Sequence, residues 1–156
     1  MKKYYFLITI FSLFLTITSC STDDSESSDP NDMLSSRNWV IESKMLSPTI
    51  VYNGIEVTDI MLFESEETRN YSFQFKADGT FYHYDATGEV ILESTWLLNE
   101  DNTQLILGDP IVYDYPVVGS MGFSAIDIVS ISSSKIVGTI EALFGGENYV
   151  VTITFI

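Results

Sequence analysis

The sequence predicts an all-β domain: a meander of eight to ten short antiparallel strands that closes into a barrel, with a β-sandwich as the alternative. Three observations carry this reading. From Tyr71 onward, apolar and polar residues alternate with a period of two rather than a helical period. Turn dipeptides such as Asp78-Gly79 and Thr87-Gly88 divide the alternating runs. The runs themselves are rich in β-branched and aromatic residues, which suit a pleated, half-buried surface. A meander must also shield its edges, and closure into a ring abolishes them.

Taken in order, "NWVIESKM" reads as the first strand, opening at Trp39, and Asn53-Gly54 turns the chain between "TIVY" and "IEV". In "VTDIMLFESEETRN" the residues Ile60, Leu62 and Phe63 break the alternation, so a helical turn or a loop over one end is expected. "YSFQFKA" places Tyr71, Phe73 and Phe75 on one face and Ser72, Gln74 and Lys76 on the other. Asp78-Gly79 then returns the chain as "TFYHY", and Thr87-Gly88 leads into "EVILESTWLL". There Val90, Leu92, Ser94, Trp96 and Leu98 share a face, while Glu89, Glu93 and Thr95 point away.

"NEDNT" is the next turn and "QLIL" a short strand. "GDPIVYDYPVVGSMG" holds two prolines and three glycines, which predicts an irregular connection or an edge strand. "FSAIDIVSI", "KIVGTIEAL" and "NYVVTITFI" complete the meander, the last two split by Gly145-Gly146.

Ahead of this domain lies a different kind of sequence. Lys2 and Lys3 precede an apolar run from Tyr4 to Ile17. That run is shorter than the roughly 20 residues a membrane-spanning helix needs, and its build is that of a secretory signal. It ends at Ile17-Thr18-Ser19-Cys20, which resembles the lipobox of bacterial lipoproteins. The resemblance implies that Cys20 receives a lipid on its sulfur, that the leader is cut before it, and that the new amino terminus is acylated. Several acyl chains anchor firmly where one holds only marginally. The other reading of Cys20 is a free thiol, or one that pairs two chains. An exposed reactive thiol after an export leader is a liability.

As the only cysteine in the chain, Cys20 excludes an internal disulfide. Ser21 to Asp32 is too polar and acidic to bury a core, and reads as a disordered tether. Its acidic cluster resembles the surface-export signal of some Gram-negative lipoproteins, with a merely solvated spacer as the alternative. The expected division is a leader over 1–19, the lipidated cysteine and tether over 20–33, and the barrel domain over 34–156. The expected location is the bacterial outer membrane or cell surface, held there by lipid.

Loss of the leader removes Lys2 and Lys3 and no acid, leaving five bases against 22 acids and a formal charge of −17. A field of that sign repels phosphate backbones, so nucleic acid is excluded as a partner.

A tryptophan opening the first strand ("SSRNWV"), an aromatic strand running into a hairpin ("YSFQFKADGTF"), "STWLLNEDNTQLIL" and the closing strands "IDIVSISSSKIVGTI" and "NYVVTITF" are similar to the lipocalin-like domains of secreted bacterial lipoproteins. Arg37 and Ser94 stand where that family often has glycine before its tryptophans. The resemblance implies an up-and-down barrel of about eight strands, just wide enough to fill with side chains or to hold one small ligand. Trp39 and Trp96 would then be core residues that plug one end. Phe73, Phe75, Phe81, Leu92, Val151, Ile153 and Phe155 should converge inside, as a dry core or as the lining of a ligand cavity.

Catalytic signals are sparse. His83 is the only histidine and has no evident nucleophile or orienting partner. "VGSMG" misses the first glycine of the Gly-x-Ser-x-Gly elbow, and no strand-to-helix turn surrounds Ser120. One histidine and one lipid-bearing cysteine cannot build a zinc site, and "ESEE" and "NEDN" lack the spacing of a calcium loop. Asp85, Glu89 and Glu93 cluster in one hairpin, but two of them point outward.

The sequence thus favours a binding protein without catalysis, metal or cofactor, carrying a small apolar ligand. A filled barrel that contacts another envelope protein is the alternative, and a glycan or lipid hydrolase is a weaker one. Growth with labelled palmitate tests the anchor: the native protein takes up label and Cys20→Ala does not, whereas equal labelling of both defeats the lipid assignment.

Overall fold

The structure, a computed structural model, describes residues 29–115, 119–144 and 146–156. The leader, Cys20 and the tether as far as residue 28 lie outside the described residues, as does Gly145 of the last expected turn. The elements run α1 (Pro30–Ser35), β1 (Asn38–Tyr52), β2 (Ile55–Asp59), a 3-10 turn (Ile60–Phe63), α2 (Glu66–Arg69), β3 (Ser72–Phe75), β4 (Thr80–Tyr84), β5 (Val90–Leu98), β6 (Gln104–Tyr115), β7 (Gly119–Ile131), β8 (Ile136–Phe144) and β9 (Glu147–Phe155).

All neighbouring strands are antiparallel, and β1 pairs with β9 to close an up-and-down barrel of eight strands, with β2 as one extra strand. The sheet is a single ring rather than the two layers of a sandwich. β1 serves two neighbours in turn. Asn38–Val40 pair with β3, and beyond them β2 takes that side of β1, with Met45 opposite Asp59 and Tyr52 opposite Ile55. On its other side, Ile41 to Ser47 pair with β9.

One end of the barrel is sealed. α1 begins at Pro30, which suits a first helical turn, and the Asp29 side chain accepts from the Asn31 N–H at 2.9 Å. Ordered structure therefore reaches into the stretch read from sequence as tether. Leu34 of α1 is fully buried, a contribution of about 1.5–3 kcal/mol. Its carbonyl accepts from Trp39 Nε1 at 2.8 Å, so the indole is both packed and satisfied. Trp96 Nε1 donates in the same way to the Lys76 carbonyl, also at 2.8 Å. Both tryptophans are core residues of this floor.

Two irregularities shape the other end. Against β9, β1 steps from Ile41 to Ser43 while its partner steps only from Phe155 to Thr154, so Glu42 is an extra residue. Trp39 and Ile41 point inward before this bulge, and Lys44 and Leu46 after it. The second irregularity lies in β6. Between Ile106 and Ile111 that strand carries three more residues than β7 opposite, and the excess falls at Gly108-Asp109-Pro110.

The expected irregular segment after "QLIL" is therefore a continuation of β6 to Tyr115, and β7 begins at Gly119, earlier than "FSAIDIVSI". The strand tolerates Pro110 because β5 has let go of it there. The two strands pair only where Trp96, Leu97 and Leu98 face Leu107, Ile106 and Leu105. Farther up, Ser94 Oγ donates to Asp109 Oδ2 at 2.8 Å, and a Cβ on Gly108 would stand 2.5 Å from Thr95 Oγ1. Above that point β5 and β6 part, and a cleft opens.

Candidate functional site

The cleft is a partly open cavity of about 560 Å³ at the end of the barrel opposite α1. Its walls are Ile91 and Leu92 of β5, Pro110, Ile111 and Val112 of β6, and Phe63 of the 3-10 turn. Its polar surface comes from Glu64, Tyr71, His83, Tyr113 and Tyr115, with Ser65, Thr68 and Asp114 also lining it. Volume and mixed lining both fall in the range of small-molecule sites.

The cap over this end is the segment from Ile60 to Arg69, and it is tied down by polar contacts. Asp59 Oδ1 accepts from the Lys44 N–H at 3.1 Å and from the Met61 N–H at 2.9 Å. Arg69 Nε donates to the Met61 carbonyl at 3.0 Å. Ser65 caps α2 by accepting from the Thr68 N–H at 3.0 Å.

The strongest tie is buried. Lys44 Nζ lies 2.5 Å from Glu64 Oε1, with side chains only 1% and 4% exposed. Tyr115 OH donates to the same oxygen at 2.6 Å, and Lys44 Nζ donates to Tyr115 OH at 3.2 Å. The ammonium also sits 3.2 Å from the centre of the Tyr113 ring, on its electron-rich face.

Burial pulls Lys44 down to about 8, against the opposing pull of Glu64 and Asp59, so the ion pair is intact at neutral pH. Tyr113 and Tyr115 are pushed far above the usual phenol range by burial, with Glu64 adding to both. Both stay neutral hydroxyls.

His83 is the odd group of the site. It is 5% exposed, stacks on Phe73 at 4.6 Å between ring centroids and meets Tyr71 edge-on at 5.4 Å. Burial, then the Lys44 charge, push it down to about 4, so it is a neutral imidazole at pH 7. Its Nε2 is buried without a hydrogen-bond partner, the only such side-chain atom among the described residues. Groups of this kind are rare and costly.

Of the residues expected to line a cavity, Leu92 does so. Phe73, Phe75, Phe81, Val151, Ile153 and Phe155 are buried in the packed core instead. Phe81 stacks on Phe73 and lies tilted against Phe75, with Phe75 edge-on to Trp96 and Phe73 edge-on to Phe155. Phe73, Phe75, Phe81 and Phe155 fill the barrel toward the floor, whereas Ile153 lies beside Lys44 and Val151 beside Leu46, nearer the cap.

Lys44, Glu64, Tyr113 and Tyr115 were not legible as a group. Lys44 and Glu64 come together across 20 residues of chain, and the tyrosines sit in a segment that read as irregular.

The other sequence candidates resolve into structure. Ser120 Oγ donates to Asp114 across the β6–β7 ladder. Asp85 Oδ1 accepts from the N–H groups of Thr87 at 2.8 Å and Glu89 at 2.9 Å, which holds the β4–β5 turn. Among the described residues, no group of three His, Cys, Asp or Glu side chains is placed to hold a metal. No family model matches this chain, and no curated protein matches it. The closed eight-strand barrel is compatible with a lipocalin-like fold.

Two outcomes test this description. Lys44→Met strands a buried carboxylate and lowers stability by about 3–5 kcal/mol, and adding Glu64→Leu restores most of the loss, as read from urea midpoints. His83 binds fewer protons folded than unfolded between its two pKa values, so its stabilising effect is full above about 6.5. The native protein therefore loses about 3 kcal/mol more than His83→Gln as pH falls from about 6.5 to about 4.

Proposed function

We propose that this protein is a lipid-anchored envelope protein whose barrel binds a small, largely apolar molecule in the cleft between β5, β6 and the cap, without catalysing a reaction on it. The observation that carries this reading is the 560 Å³ cavity whose polar surface includes a buried, unpartnered His83 Nε2. Apolar walls supply affinity in such sites, and a few fixed polar groups supply orientation. Ile91 and Val112, both more than 45% exposed, extend the apolar surface to the rim. The anchor is Cys20, and the tether from Ser21 gives the barrel reach above the membrane.

A second reading has its own support. The β1–β2 hairpin and the cap expose Val51 at 74%, Ile55 at 67% and Leu62 at 66%. Such residues suit contact with another envelope protein.

Ligand binding is tested with protein extracted from its own host. Native mass spectrometry is expected to show a surplus mass that denaturation releases. A polarity-sensitive apolar fluorophore is expected to bind saturably, and Leu92→Trp, which fills the cavity, to weaken it about tenfold or more while the far-ultraviolet spectrum is kept. No surplus mass together with equal, unsaturable fluorescence in both proteins refutes the carrier reading and leaves the hairpin surface as the better one.

A further inference from the structure

We infer that the molecule held in the cleft is uncharged and ends in a hydroxyl or a primary amide, seated against His83 Nε2 with its apolar body between β5 and β6. This rests on the carrier reading and specifies its chemistry.

The first argument is the hydrogen-bond inventory. His83 Nε2 has no partner, and its tautomer is free to put the proton on either nitrogen. An occupant that both donates and accepts satisfies the ring in either form. Hydroxyls and primary amides do this. Carboxylates only accept, and ammonium groups only donate. Beside His83, the Tyr113 hydroxyl makes no hydrogen bond among the described residues. Glu64 spends one oxygen, Oε1, on both Lys44 and Tyr115, and Oε2 makes no hydrogen bond among the described residues. The polar end of the cleft thus offers donors and acceptors together.

The second argument is charge. Among the described residues, the cation buried beside the cleft, Lys44, is consumed by Glu64, with Tyr113 and Tyr115 packed around it, and Arg69 of the cap is exposed and donates to the Met61 carbonyl. A buried carboxylate finds no free positive partner, and Asp114 at the lining repels it further. A buried ammonium finds a carboxylate already shared by a lysine and a tyrosine. A carboxylate sheds its hydration with no free cation to meet it, and an ammonium otherwise meets only Asp114, which is exposed and already accepts from Ser120. A neutral head gives up little and regains it at His83.

A chain-matched displacement series decides the matter. The apolar fluorophore is bound to the full mature protein and displaced with decanol, decanamide, decanoate and decylammonium at pH 7.

Decanol and decanamide are expected to bind about tenfold or more tighter than the two ions. His83→Leu is expected to remove that preference, and His83→Gln, which keeps a donor and an acceptor, to retain most of it. Decanoate or decylammonium binding as tightly as decanol overturns the inference, as does an unchanged decanol affinity in a folded His83→Leu. In either case the fluorophore still binds and the carrier reading survives. If the fluorophore itself fails to bind, both fall. Should His83→Leu not fold, the ranking in the native protein decides alone.

Discussion

The open end of this barrel depends on one buried ion pair. Lys44 on the wall and Glu64 on the cap meet almost completely out of solvent, and Tyr115 shares the same carboxylate oxygen. An ion pair of this burial stabilises only if its remaining valences are met, and here a phenol and an aromatic face meet them. Holding Glu64 fixes the segment from Ile60 to Arg69 over the mouth. It also neutralises Lys44, the cation buried beside the cleft. The same contact is therefore a structural fastening and the reason Lys44 offers the cavity no free positive charge.

Two departures from regular pairing make that contact possible. Without the extra residue at Glu42, the inward series from Trp39 and Ile41 would continue at Ser43 and leave Lys44 in solvent. The excess at Gly108-Asp109-Pro110 has the opposite task of separating strands. It bends β6 away from β5 and preserves the inward order of Ile111, Tyr113 and Tyr115. Ser94 and Asp109 then replace ladder hydrogen bonds at the fork. A small barrel is normally filled by its own side chains, and this one leaves a cleft beside His83 where β5 and β6 part.

The interior divides accordingly. Toward α1, packed phenylalanines and two satisfied indoles form an apolar core. Toward the cap, tyrosine, histidine, lysine and glutamate join buried Leu46, Ile60, Met61 and Val151. His83 stands on the boundary, stacked on Phe73 from below and facing the cavity above. The stacking fixes the ring, and a fixed ring presents its free nitrogen in one direction.

Period-two alternation determined the all-β class, the hairpins at Asp78-Gly79 and Thr87-Gly88, and the shared face of Phe73 and Phe75, while the core role of Trp39 and Trp96 came from the family resemblance. The alternation and the hairpins follow from local pleat geometry and turn chemistry, which a short window of residues contains. Local pattern could not reach the parity change at Glu42, because a bulge shows only against the partner strand, and β9 lies more than a hundred residues away. Nor could it show that a segment with two prolines is mostly strand, since that depends on which edge is left unpaired. The meeting of Lys44, Glu64, Tyr113, Tyr115 and His83 needs the ring to close first. Barrel closure alone brings groups that are distant in sequence into one low-dielectric space, where their charges and hydrogen bonds become decisive.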